Sequence, residues 1–176
     1  MKITMAPSAP PKSLLPEGFL SGPAPNLTLS HVDFAKARMP EYDGLYAVIL
    51  DGVLSLDECN TLVAAAEAHA GAKSWERALI NVGGGRQMLA TDARNCGRII
   101  WDDTEVVDRL WKRVEAAVPE LHRLEGKTSQ RILGNGPGKR GEVWKATRLN
   151  ERMRFLRYEG GEYFRRTYIP DLTTLN

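Results

Sequence analysis

Hydrophobic and polar positions along this chain follow two rhythms, one helical and one extended. Cys59, Leu62, Val63 and Ala66 recur at i, i+3, i+4 and i+7, which sets them on one helical face. Ser55-Leu56-Asp57-Glu58 stands just ahead of them with the spacing of a capping box. The serine hydroxyl accepts from the backbone N–H three residues on, and the glutamate reaches back. The spacing predicts a helix over 56–69, closed near Gly71, with Cys59 a small core residue rather than a nucleophile. A second stripe, Val107, Leu110, Trp111, Val114, Ala117 and Val118, predicts another helix, capped by Asp102 or Asp103 and stopped by Pro119.

The extended rhythm begins with Leu45–Leu50, an apolar run of strand length ended by Asp51-Gly52. Ala78-Leu79-Ile80 and Arg98–Trp101 read as strands on either side of the Gly83-Gly84-Gly85 loop, and Val143–Arg148 as another. In Arg152–Tyr158, alternation puts Met153, Phe155 and Arg157 on one face and Arg154, Leu156 and Tyr158 on the other. Glu159-Gly160-Gly161 then turns the chain into a strand beginning at Glu162-Tyr163-Phe164.

Composition divides the chain. Seven of the ten prolines lie in the first 40 residues, so 1–43 is expected to be an extended or disordered arm, loosely ordered or lying along the surface. The packed domain is expected over 44–164, with a mobile glycine-rich loop at 125–141, and 165–176 forms a separate tail. Hydrophobic residues make up 43% and charged residues 26%, the balance of a soluble globular chain, and no apolar run approaches the roughly 20 residues a bilayer needs. Two cysteines cannot staple a core, and no apolar stretch follows Met1-Lys2, so a reducing, cytoplasmic setting is expected. A net charge of +2 gives no general case for nucleic acid, but residues 139–166 carry +5 against −3 elsewhere. A basic strand face could hold an anion. A solvated, edge-protecting face is favoured over nucleic acid, because aromatic stacking residues are not interleaved with the cations on the same face.

Other chemistries fail on spacing. Gly138-Lys139 is followed by Arg140 and preceded five positions earlier by Leu133, so the phosphate-loop pattern is absent. The triple glycine at 83–85 has Met88 where a dinucleotide fingerprint needs glycine. His31, His69 and His122 are not spaced with other ligands as metal sites require, and His69 suits a helix C-terminus as a plain cation.

The segment Val143–Phe164, ending in Tyr158-Glu159-Gly160-Gly161-Glu162-Tyr163-Phe164, resembles the prolyl 4-hydroxylase-like family of Fe(II)- and 2-oxoglutarate-dependent dioxygenases. Ser55–Cys59 and Arg94–Asp103 fit the same family, and the resemblance spans roughly residues 45–164. It implies an α+β fold in which N-terminal helices pack on an incomplete double-stranded β-helix, or jelly-roll. It also implies Fe(II) and 2-oxoglutarate as cofactors with ascorbate as a companion reductant, and C–H hydroxylation coupled to oxidation of 2-oxoglutarate to succinate. Tyr158 is the residue the resemblance assigns to the 2-oxoglutarate pocket; a core aromatic with a satisfied hydroxyl is the alternative there.

The family's His-x-Asp iron motif should begin three residues after Phe164. Thr167 and Ile169 stand in those two places, and Asp171 is the sole carboxylate after Glu162. The second His and its basic companion find no counterpart. No catalytic or metal-ligating residue is therefore assigned, neither iron nor 2-oxoglutarate is expected to bind well, and the chain is expected to be a truncated form, inactive alone. The protein or small-molecule substrate stays open. The rival expectation is a non-catalytic binding module whose basic, open-edged sheet takes an acidic partner or a missing sheet by strand addition.

Overall fold

The computed structural model describes residues 14–125, 136 and 140–165. These form a mixed α+β fold of two α-helices, several short 3-10 turns and small antiparallel sheets, none of them closed. Among the described residues no helix is long and apolar enough to cross a membrane.

Helix α1 (Leu56–Ala70) starts with the expected capping box: Ser55 Oγ accepts from Glu58 N at 3.1 Å, and Ser55 N donates to Glu58 Oε2 at 2.8 Å. Gly71, at φ 54°, closes it. The buried face is Leu62, Ala65 and Ala66, while Val63 is 40% exposed and Cys59 half-buried. The core stripe thus lies one position round from the expected one. Helix α2 (Thr104–Val114) is capped by Asp103, whose Oδ1 accepts from Val106 N at 3.0 Å, and it buries Val106, Val107, Trp111 and Arg113. A 3-10 turn continues it over Glu115–Ala117, and Pro119 opens a second such turn.

Residues 14–43 are not separate from the core. Strand β1 (Thr28–His31) pairs antiparallel with β2 (Val48–Asp51), which begins three residues later than the Leu45 start expected. Phe19 and Leu20 lie in the main hydrophobic cluster with Leu62, Ala66, Ile99, Trp101 and Val106. Leu20 adopts φ 62°, a region L side chains avoid, and its burial at 4% exposure offsets that strain. Polar groups on α2 hold this segment. Arg109 Nη1 donates to Phe19 O at 2.6 Å, and Arg113 Nε to Gly22 O at 2.9 Å. Gly52, at φ 68°, meets the segment from β2, and a Cβ there would sit 2.2 Å from the Asn26 carbonyl oxygen.

The central sheet has the order β10-β7-β3, from β3 (Glu76–Arg77), β7 (Gly97–Asp102) and β10 (Arg152–Arg157). Its register sets Phe155 opposite Ile99 and Met153 opposite Trp101, and that face packs on α1. The strand expected at 78–80 is divided. Ala78 N bonds to Cys96 O at 3.0 Å as the chain leaves the sheet. Ile80–Asn81 (β4) then forms a hairpin with Gln87–Met88 (β5) around three glycines of positive φ. Arg94–Asn95 (β6) pairs with Tyr163–Phe164 (β11), and Leu124–Glu125 (β8) with Val143–Trp144 (β9). The expected strand at 143–148 is therefore a two-residue pairing. Most of the expected 125–141 loop and nearly all of the 165–176 tail, with Thr167, Ile169 and Asp171, lie outside the described residues.

Arg113 is the buried charge of the core, its side chain 4% exposed, and it donates to both carboxylate oxygens of Glu58 at 2.7 and 2.9 Å. These bonds, with the Ser55 N–H, hold Glu58 down to about 2 from an ordinary 4.5. A depressed carboxyl contributes stability above its unfolded value and loses it as pH falls toward the folded one. Glu58→Gln is therefore expected to lower the unfolding free energy by about 3 kcal/mol at neutral pH. In denaturant titrations over a pH series, the gap to the wild type should close between pH 4.5 and about 2.

Candidate functional site

The sheet that packs on α1 has a second face. Side chains paired across an antiparallel ladder share a face, so the register Arg98↔Leu156, Ile100↔Arg154 and Asp102↔Arg152 turns these six away from α1. On the packed side, Trp101 stacks between His69 at 5.5 Å and Phe155 at 6.4 Å, and the Arg157 guanidinium lies 4.6 Å over the Trp75 ring. Over 152–157 this division is the one the alternation predicts: Met153, Phe155 and Arg157 on one side, Arg154 and Leu156 on the other.

The open face is basic. Arg152 is held by Asp102 through two bonds of 2.7 and 2.9 Å, which lower the Asp102 carboxyl. Arg94, Arg98 and Arg154 have no carboxylate within ion-pair distance among the described residues. Desolvation pushes the Arg98 guanidinium below its usual value, and the charges of Arg94 and Arg154 push it further, against the attraction of Glu76. Arg98 has one polar partner, Gln87 Oε1 at 3.4 Å. Arg94 lies 4.7 Å over the Phe164 ring, and its buried Nε has no hydrogen-bond partner among the described residues. Beside Arg98, where the short strand β3 ends, a notch of about 250 Å³ is lined by His69, Lys73, Glu76 and Ile100.

Tyr158 follows the last residue of β10 and is 46% exposed, so it is not a buried core aromatic. Partial desolvation of its hydroxyl raises its pKa, as does the neighbouring Cys96 thiol, while Arg94 acts in the opposite sense. Cys96 is fully buried. The phenol is therefore neutral at physiological pH and able to donate to an anion drawn in by the arginines. The sequence pattern points to Tyr158, with Arg154 on the same predicted face, and not to Arg94 or Arg98. The same period-two alternation, applied to Gly97–Asp102, would have placed Arg98 on the open face.

The described residues offer no group that could hold iron. Among those described, no three of His, Cys, Asp or Glu stand close enough to hold a metal ion. The three histidines are dispersed: His31 meets the Tyr46 ring edge-on, His69 stacks on Trp101, and His122 Nε2 lies 2.8 Å from Glu115 O. At 167 and 169, where the family resemblance calls for ligands, Ile169 has no donor atom and Thr167 offers only a hydroxyl. Compared with known proteins, the chain matches no family model, no curated protein and no solved structure.

An absorbance titration of the wild type minus Tyr158→Phe isolates this phenol. Its midpoint is expected above the ordinary 10; a midpoint at or below 10 would contradict the arrangement around Cys96.

Proposed function

We propose that this chain carries the N-terminal part of a prolyl 4-hydroxylase-like Fe(II)/2-oxoglutarate dioxygenase domain, with β7 and β10 belonging to an incomplete jelly-roll. Its open face binds 2-oxoglutarate or a close dicarboxylate weakly, without turning it over. One observation carries the reading. β10, which leads into the family-like Tyr158, is backed by α1 on one side and directs Arg154 to the other; Arg94 neighbours Tyr158, and Arg94 and Arg98 add positive charge without carboxylate partners among the described residues. In this reading the Tyr158 hydroxyl donates to one carboxylate of the ligand, Arg98 supplies the opposing charge, and the face orients the dicarboxylate along β10. Hydroxylation coupled to decarboxylation is the reaction of the complete family domain. Among the described residues no side chains form its iron site, so no step of that reaction is assigned to them.

With added Fe(II), ascorbate and 2-oxoglutarate, the 176-residue chain is expected to release no more succinate than a protein-free blank. Calorimetry should nevertheless detect 2-oxoglutarate binding, weakened about tenfold in Tyr158→Phe and in Arg98→Ala, as for the loss of one hydrogen bond to a charged group. Succinate above the blank would refute the inactive state; no binding by the wild type would refute the ligand site.

A further inference from the structure

We propose that the free edge of β10 takes up an extended peptide strand from another molecule, one in which acidic residues alternate with apolar ones. Among the described residues, β10 pairs with β7 on one side alone, so half of its backbone N–H and C=O groups point along an edge that no strand covers. Only Arg152 N, which donates to Asn150 Oδ1 at 2.9 Å, has a local substitute at that end of the strand. Arg152–Arg157 contains no proline, and its packed-side charge, Arg157, is drawn over the Trp75 ring. What it carries is cations: Arg152, Arg154 and Arg157, with no carboxylate.

These cations choose the occupant. A second copy of the chain would bring two triply arginine-bearing strands together, which like-charge repulsion disfavours. The stretch 126–139 of this chain carries Lys127, Arg131 and Lys139 with no Asp or Glu, and is mismatched in the same way. An acidic strand is matched. Arg152 is already held by Asp102, and Arg157 is engaged by Glu159 at 3.3 Å and by Trp75. Arg154 stands beside Asp102 without a hydrogen bond to it, and Arg98 lies diagonally across the ladder. Carboxylates from every second residue of an added strand would fall on that side.

The residues between them would fall on the other side, against Met153 and Phe155. Both pack on the main core cluster yet are only half-buried, as β10 is the last strand of the sheet among the described residues. Apolar side chains there would extend the layer under α1. The two faces of the edge thus ask for alternating acid and hydrophobe, and the backbone edge supplies the pairing.

The test uses the whole chain and a blocked peptide of about eight residues alternating Glu and Val. Expected is salt-sensitive binding at least about tenfold tighter than for the Lys-Val counterpart or for a Glu-Val peptide N-methylated on one edge, with Arg154→Glu weakening it about tenfold. Hydrogen exchange on the wild type adds a readout that needs no variant: the edge amides of β10 should slow when the Glu-Val peptide binds. Equal affinity for the Lys-Val peptide, indifference to N-methylation, unchanged exchange, no binding, or a β10-mediated dimer would each overturn the proposal. Tyr158→Phe, which weakens 2-oxoglutarate, should leave peptide affinity unchanged, so the two readings fail separately.

Discussion

Arg113 ties the N-terminal segment, the turn before α1 and α1 itself to α2 through one buried charge. From α2 its guanidinium reaches Gly22 O in the N-terminal segment, Val53 O in the turn before α1, and both carboxylate oxygens of Glu58 within α1. A cation this deeply buried would carry a large desolvation cost if any of these acceptors were missing, so all of them must be in place together. Glu58 is fixed from its other side by the Ser55 N–H, which couples the start of α1 to the same network. The orientation of α1, and hence the face of the central sheet that it covers, follows from this arrangement.

The covering is one-sided. Trp101, Ile99, Phe155 and Met153 meet α1, whereas Arg98, Ile100, Arg154 and Leu156 face outward. Asymmetric burial of this kind gives an antiparallel sheet its clean alternation and pins its register, since a slip of one residue would bury arginines and expose Trp101. The site proposed for 2-oxoglutarate and the proposed peptide edge both derive from that alternation. They share the cations of the open face: the first adds the Tyr158 hydroxyl, the second the outer backbone edge of β10.

Much of this was legible in the sequence where the determinants are local. The Ser55–Glu58 box, the Gly71 stop, the Asp103 cap and the alternation of 152–157 each need only neighbouring residues, and each stands as read. What the sequence hid depends on distant partners. Residues 14–43 looked like a proline-stiffened arm, because the carbonyls of Phe19 and Gly22 carry no sequence signal that two arginines of α2 will bond to them. Val63 fits the helical stripe as well as Ala65 does, and only the position of β7 against α1 decides which is covered. The strand expected at 78–80 failed because three glycines draw the chain into a hairpin of its own. The charges that surround Arg98, Arg94 on β6 and Arg154 on β10, are brought beside it by the sheet and not by any local pattern.

The Arg113–Gly22 bond spans 91 positions of sequence. On a ribosome, Phe19 and Leu20 leave the exit tunnel long before α2 has been made, so they wait in water without the helix that will receive them. Their docking must be a late event, closed by loop formation over a large separation. During that interval a nascent chain displays a short greasy segment flanked by prolines, a natural handle for chaperones that bind extended hydrophobic peptides.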